Sequence, residues 1–498
     1  MMAVEGPFVA ALVARLPEPT FNLAAFGVAL ALAFVAESPI IMLLAATTAL
    51  ARDRESFQRL RRFSILMNGG VTAAMALIVF PPVFEVLASR VLALPPEVAS
   101  RAQLAVAVFL PWPAAIGFRR FQQGILIAAG RTRLVAYGTV VRLATMAATG
   151  LVLFLYGGID GAVVGAGALS TGVVVEAAAS WVWARTDRKR LSHLSPASPG
   201  DVPTLADIQR FYWPLAVTPL MNMASLPLVT FFVGRGHLPI ESLAVLPVVN
   251  SFGFLFRCPA TAFQEVVIAL GRGGPAALRS LRRFATLLGG LSSLAMAAVV
   301  LTPAAGLWFA SVTGLESELV PLARSAAMVL VLTPAAATVL VWMHARLVLL
   351  RTTRLITIGT VVELTVLAAT LFAGIGFSRV PAVIVATSAV LAGRSAGAFF
   401  LLAARGRAGD REAALAAGPH PRASAGPGPD ALPPAGGGSE ITASRAFVPG
   451  PSGSAPAAPP RPSPVRDPAP SRRSPRRRRS ARRGGRSGPT TPPARHLR

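Results

Sequence analysis

The sequence predicts an all-α polytopic membrane protein made of two six-helix lobes related by an internal duplication. Three observations carry that prediction. Apolar residues make up 53% of the 498 and charged residues 14%, against about 25% charged in an ordinary soluble domain, and the mean hydropathy is +0.58. Apolar stretches longer than about 18 residues recur along the chain, the length needed to cross a bilayer as a helix. Four short motifs of the first half return in the second at one offset, 221 residues.

The spans follow in order. Span 1, Val4–Leu16, has 13 residues and contains Glu5 and Arg15. That is too short to cross about 30 Å at 1.5 Å per residue, and it lacks the basic leader of a signal peptide. Either the true start lies upstream, or this is a short, tilted or half-inserted helix. Span 2, Phe21–Ala51, carries Glu37 just before Pro39, which should kink it. A basic loop (Arg52, Arg54, Arg59, Arg61, Arg62) leads to span 3, Ser64–Leu92, and then span 4, Ala102–Ala129. After Arg131 and Arg133 come span 5, Leu134–Tyr156, and span 6, Ile159–Trp183, joined by Gly157-Gly158. Arg185, Arg188, Lys189 and Arg190 then precede span 7, Phe211–Val233, and span 8, Pro239–Leu270, which carries Arg257 before Pro259. Arg272, Arg279, Arg282 and Arg283 introduce span 9, Phe284–Ala310, and span 10, Leu319–Leu350. Arg351 and Arg354 introduce span 11, Leu355–Ile375, and span 12, Val380–Ala404. The domains are an N-lobe over 1–185, a linker over 186–208, a C-lobe over 209–404 and a tail over 405–498.

Every second loop is basic and the intervening loops are poor in cations. The basic loops, the linker and both termini are therefore assigned to the cytoplasm, in a plasma membrane (the bacterial inner membrane). The tail holds 18 Arg and 5 acids among Pro, Gly, Ala and Ser. Such a segment cannot bury enough apolar surface to offset its ordering entropy, so it is expected to be disordered. Its run Arg476-Arg477-Arg478-Arg479 suits anionic lipid. Non-specific nucleic-acid binding and a compositional extension without a role are the alternatives, and no specific nucleic-acid partner is expected.

The duplication rests on Arg61-Arg62-Phe63 with Arg282-Arg283-Phe284, Pro113-Ala114-Ala115 with Pro334-Ala335-Ala336, Thr132-Arg133-Leu134 with Thr353-Arg354-Leu355, and Gly138-Thr139-Val140-Val141 with Gly359-Thr360-Val361-Val362. Each half has an even number of spans. Both therefore insert with the same polarity and are related by a pseudo-two-fold along the membrane normal.

Several chemistries are excluded. One cysteine, Cys258, rules out a disulfide framework, and five scattered His give no metal-site spacing. There is no phosphate loop of the GxxxxGK[ST] type, hence no ATP-driven motor. No triad or paired carboxylates point to an enzyme, and no cofactor or metal is expected.

The basic loop after the second span of each half ("ARDRESFQRLRRF" and "GRGGPAALRSLRRF") resembles that of the multidrug/oligosaccharidyl-lipid/polysaccharide flippase superfamily, which includes the multidrug-and-toxin-extrusion (MATE) transporters. The stretch "FRRFQQGILIAAGRTRLVAYGTVVRL" is most similar to progressive-ankylosis-type members. The resemblance implies two lobes around a central cavity that opens alternately to each side, with spans 1, 2, 7 and 8 at the lobe interface. The acidic cation-coupling residue of many MATE proteins, in span 1, has no clear match here.

Charges at bilayer depth are costly and are buried in pairs or functional. Arg142 and Glu176 lie at one depth in spans 5 and 6. Arg142 plus 221 is Glu363, which lies level with Arg394, so the second half repeats the pair with signs exchanged; both pairs read as structural. Glu37 and Arg257 sit on kinked spans that the resemblance places on the cleft, and they are the leading site or gate candidates, against a structural lobe–lobe ion pair. Arg119, Arg120, Gln122 and Gln123 cluster in span 4, and His344 and Arg346 lie at similar depth in span 10. Asn222, Asn250, Gln264 and Glu265 are further polar candidates. Arginines outnumber acids in this set, which favours an anionic substrate. The expected function is secondary-active export of a small organic or phosphorylated anion by alternating access, with H+ or Na+ as a coupling cation. The alternatives are a flippase for a phosphate-linked lipid carrier, multidrug efflux, and a non-transporting membrane scaffold.

Overall fold

The computed structural model describes residues 2–51, 53–193, 204–271, 274–350, 354–377 and 379–416. Eighteen α-helices follow one another: α1 Glu5–Val13, α2 Pro19–Glu37, α3 Leu43–Leu50, α4 Arg54–Val79, α5 Pro81–Val86, α6 Pro96–Val108, α7 Pro111–Ala128, α8 Thr132–Tyr156, α9 Gly161–Trp183, α10 Arg185–Ser192, α11 Leu205–Val233, α12 Pro239–Leu270, α13 Gly274–Val300, α14 Ala304–Gly306, α15 Val320–Val329, α16 Thr333–Leu349, α17 Arg354–Phe377 and α18 Ala382–Ala416. Ten continuous or proline-interrupted helical segments are long and apolar enough to cross a membrane. The short α1 and the apolar half of α11, Pro219–Val233, occupy the positions of spans 1 and 7.

Prolines set where the spans break. Span 2 is two helices, because Pro39 has no N–H to continue the ladder and the chain passes through a 3₁₀ turn at Ser38–Ile40. Tyr212 of α11 donates its hydroxyl proton to the Pro39 carbonyl left over at that break. Span 3 begins earlier than its hydropathy indicates. Asp53 caps α4, its Oδ1 accepting from Ser56 N at 2.8 Å, and the helix ends before Pro81-Pro82. Span 4 is broken between α6 and α7, ahead of Pro111. Span 8 departs from expectation in the other direction: α12 runs unbroken through Pro247 and Pro259.

Span 1 is only nine helical residues, about 13.5 Å at 1.5 Å per residue. It packs against the rest of the protein, burying Pro7, Val9, Ala10 and Val13. The expected linker contains a basic helix, α10. α18 continues past the expected start of the tail to Ala416, through the helix-forming run AARGRAGDREAALA. The rest of the tail, 417–498, and its Arg run lie outside the described residues.

The duplication is visible in backbone and burial, with a register that changes once. Glu18 and Leu238 both take left-handed φ, 50° and 51°, just before Pro19 and Pro239. Buried and half-buried positions alternate identically over 19–30 and 239–250. That register is 220, not 221. From Phe63 onward the 221 register holds: Ala93 and Gly314 share positive φ, and Ala102, Ala105 and Val106 match Ala323, Ala326 and Ala327 as fully buried residues. The first half is therefore one residue shorter between the start of span 2 and span 3.

Candidate functional site

The site is built around α2 and α12, which meet across the lobe boundary. In the 220 register Gly27 and Pro247 are equivalents, and they touch: a Cβ on Gly27 would lie 3.3 Å from the Pro247 Cγ. Equivalent residues in mutual contact mark the pseudo-two-fold axis. Glu37 and Arg257 are equivalents in the same register, ten residues further along each helix, about 15 Å from the crossing. The lobes thus present an acid and a base at related positions.

They do not pair here. Glu37 is buried, and the Trp112 Nε1–H of α7 donates to its Oε2 at 2.9 Å. Arg257 is half-buried and donates from Nε to the Gly253 carbonyl at 3.3 Å. Among the described residues Arg257 takes part in no ion pair. The main core draws on both lobes, and the basic end of the C-lobe packs a separate cluster that includes Phe263, Val267, Leu340 and Met343.

The opposite end is closed by two matching contacts. Arg15 donates to the carbonyls of Ser311 and Val312 at 2.7 and 2.9 Å, and to Ala11 of its own helix at 2.8 Å. Arg235 donates to the Arg90 carbonyl at 2.8 Å and to Phe231, four residues back, at 3.1 Å. Arg15 plus 220 is Arg235, and Arg90 plus 221 is Ser311. Each guanidinium therefore reaches from one lobe to the π-helical turn that ends the third helix of the other, Leu307–Val312 or Leu87–Val91. Helix ends leave carbonyls without intrahelical partners and carry partial negative charge. Gly234 permits the approach, since a Cβ there would lie 2.4 Å from the Leu92 carbonyl oxygen.

Inside the N-lobe the charges form a compensated network. Glu176, fully buried, accepts from Arg119, and from the Gln123 side-chain amide at 3.2 Å. Arg142 Nε lies 3.5 Å from Glu176 Oε2, and its terminal nitrogen donates to Glu5 of α1. Arg119, a cavity candidate in the sequence, is thus held inside its lobe. Arg120, its neighbour about 100° round the helix, keeps a buried Nε without a hydrogen-bond partner. In the C-lobe Arg394 Nε is 4.0 Å from Glu363 Oε1, with side chains 30% and 20% exposed. Both expected pairs are within reach of each other, although Arg142 and Glu176 each have a closer partner.

The remaining candidates are dispersed. Asn222 and Glu265 are exposed, and Asn250, Gln264, His344 and Arg346 are half-buried. Gln122 accepts from Arg188 of α10 at 2.8 Å. Sequence reasoning missed four contributors. Glu5 sits in a segment too short to read as a span, and nothing in the sequence marks Trp112. Arg15 and Arg235 each stand four residues before Pro19 and Pro239, a spacing that points to them.

At bilayer depth the N-lobe balances Arg119, Arg120 and Arg142 against Glu5, Glu37 and Glu176. The C-lobe sets Arg257, Arg346 and Arg394 against Glu265 and Glu363. No protein-family model matches the chain, and no curated protein matches it. Solved structures do. An inward-facing multidrug resistance MATE family transporter of the MOP superfamily aligns over 82% of this chain and 95% of its own, at 17% identity and TM-score 0.62. The lipid II flippase MurJ in an inward closed conformation aligns over 81% and 85%, at 11% identity and TM-score 0.63. An outward-facing MATE transporter aligns over 82% and 92%, at 17% identity and TM-score 0.51. The chain has the fold of these MATE transporters and of the MurJ flippase.

Proposed function

We propose that the protein is a secondary-active transporter exporting a small organic or phosphorylated anion, with Arg257 as the main anion ligand in the cleft. The observation that supports this most directly is the surplus guanidinium of the C-lobe: Arg257, on the α12 helix that crosses α2, forms no ion pair among the described residues. Guanidinium binds carboxylate and phosphate with paired, planar hydrogen bonds. A cationic drug would meet repulsion at that position. Arg394 with Glu363, and the Glu5–Arg142–Glu176–Arg119 network, are read as structural.

The basic loops and both termini lie in the cytoplasm in this reading, so the end joined by Arg15 and Arg235 is the outer one. Glu37 is the carboxylate at the equivalent position of the facing helix, and H+ or Na+ is the coupling cation in this reading. The orientation is tested by reporter fusions after Leu191 and Ala408, both expected to report cytoplasmic. An external signal from either reverses the direction of export.

The substrate class is tested by solute-gated currents in proteoliposomes containing the purified chain. Carboxylates and phosphate monoesters are expected to evoke currents, and quaternary ammonium compounds are not. A cation-selective response would favour multidrug efflux. A response only to lipid-linked phosphates would favour flipping of a carrier lipid, the activity named for MurJ.

Alternating access requires the two arginine contacts to open. Spin labels at Ser89→Cys and His237→Cys, both exposed positions, report the separation of the joined loops in a Cys258→Ser background. The double variant Arg15→Ala, Arg235→Ala is expected to shift the distance distribution to longer values without substrate, and each single variant to shift it less. An unchanged distribution in the double variant means that the contacts do not hold the outer end shut.

A further inference from the structure

Within the N-lobe, α4, α7 and α9 enclose a groove of about 540 Å³ open to the side. Ile65 and Asn68 form one wall, Phe118 the floor, and Val174, Ala178 and Trp181 the other wall. Ile65, Phe118, Val174 and Trp181 are 39–58% exposed, so this apolar surface faces the hydrocarbon of a bilayer.

The groove ends at a cluster of cations. Arg61 precedes Ile65 by one helical turn on the same face of α4. Arg188 of α10 lies over the Trp181 ring at 5.1 Å and donates to the Trp181 carbonyl at 2.8 Å. Burial lowers the Arg188 pKa, and the like charges of Arg61 and Arg185 lower it further. The acid of this region, Asp187, is taken by Arg131 at 2.9 Å. Among the described residues none of Arg61, Arg185 and Arg188 forms an ion pair. Three guanidiniums therefore stand at the basic end of an apolar groove, and among the described residues none is paired with a carboxylate, Arg188 donating only to neutral oxygens of Gln122 and Trp181.

We propose that this groove is a binding site for an anionic phospholipid, with one acyl chain along Phe118, Val174 and Trp181 and the phosphate among Arg61, Arg185 and Arg188. The parts match a phospholipid's order of chemistry: apolar for about two helical turns, then strongly cationic at headgroup level. Basic pockets between transmembrane helices take anionic headgroups on this principle. The site is independent of the transport reading, because it lies on one lobe and uses none of the cleft residues. By bridging α4, α9 and α10, the lipid ties the start of the inter-lobe linker to the N-lobe.

The test is native mass spectrometry of the full-length chain released from mixed micelles of phosphatidylglycerol and phosphatidylcholine. The basic tail contributes equally to every variant, so differences report the groove. Wild type is expected to retain one phosphatidylglycerol in preference to phosphatidylcholine. Arg61→Ala with Arg185→Ala is expected to weaken that retention about fivefold per charge removed. Ala178→Trp, which fills the groove from an exposed position and leaves the arginines in place, is expected to abolish it. Undiminished phosphatidylglycerol in the arginine double variant, or equal retention of the two lipids by wild type, overturns the proposal. Should Ala178→Trp fail to fold, the arginine variant, altered only at exposed side chains, still decides it.

Discussion

Arg257→Ala is expected to remove anion flux in proteoliposomes by roughly ten- to hundredfold while the protein still folds. The rate effect follows from losing charge-assisted hydrogen bonds to the substrate, worth about 1.5–3 kcal/mol. Intact folding follows from what Arg257 touches: among the described residues its side chain donates to the Gly253 carbonyl of its own helix and forms no ion pair, so no paired carboxylate is orphaned. Arg257→Lys keeps the charge but not the planar fork, and should retain part of the flux. Glu37→Gln is the companion. A Gln oxygen still accepts from Trp112, so the substitution removes charge with little change of shape. Flux should then lose its dependence on an opposing cation gradient, since the negative charge on α2 that could exchange partners is gone. Normal, gradient-dependent flux in both Arg257→Ala and Glu37→Gln would remove the site from this part of the cleft.

Glu176→Gln should destabilise the protein more than any other neutral replacement in the N-lobe. Arg119 and Glu176 are 3% and 0% exposed, and Arg142 lies against the same carboxylate. Removing the anion leaves two guanidiniums facing each other in low dielectric, and breaking a buried pair in this way costs about 3–5 kcal/mol. Thermal unfolding in detergent and yield from membranes read the loss. Arg119→Met with Glu176→Gln is expected to recover part of it, because one uncompensated cation goes and Arg142 still has Glu5. Equal melting temperatures for the single and double variants would show that the pairing contributes nothing.

The lobes and their spans were legible because bilayer thickness imposes a length that composition reveals. The breaks within spans followed prolines in most cases, but α12 absorbs two without interruption, which side-chain packing decides and local sequence does not. The 221 repeat was readable from Arg61 onward because each anchor has at least three matching residues. Before Phe63 no such anchor survives, so the 220 register, and with it the equivalence of Glu37 and Arg257, came only from the left-handed residues at 18 and 238 and the matched burial that follows. The charged network was half legible. Depth matching brought Arg142 to Glu176, but the closer partners, Glu5 and Arg119, depend on how α1 and α7 rotate about their axes.

The contact of Gly27 with Pro247 makes the α2–α12 crossing a fulcrum. With the smallest residue on one side and a stiff ring on the other, the two helices can rock against each other with little sliding. The outer arms end near Arg15 and Arg235, and the inner arms carry Glu37 and Arg257. A relative rotation of about 15°, ordinary for rigid-body switching, acting on an arm of about 15 Å, displaces the inner ends by roughly 4 Å. Ion pairs form and break over such a distance. In the alternating-access reading, the same rocking that releases two guanidiniums from helix ends on one face would bring a carboxylate and a guanidinium together on the other, so that the two contacts would exclude each other without any signal passing through the lobes.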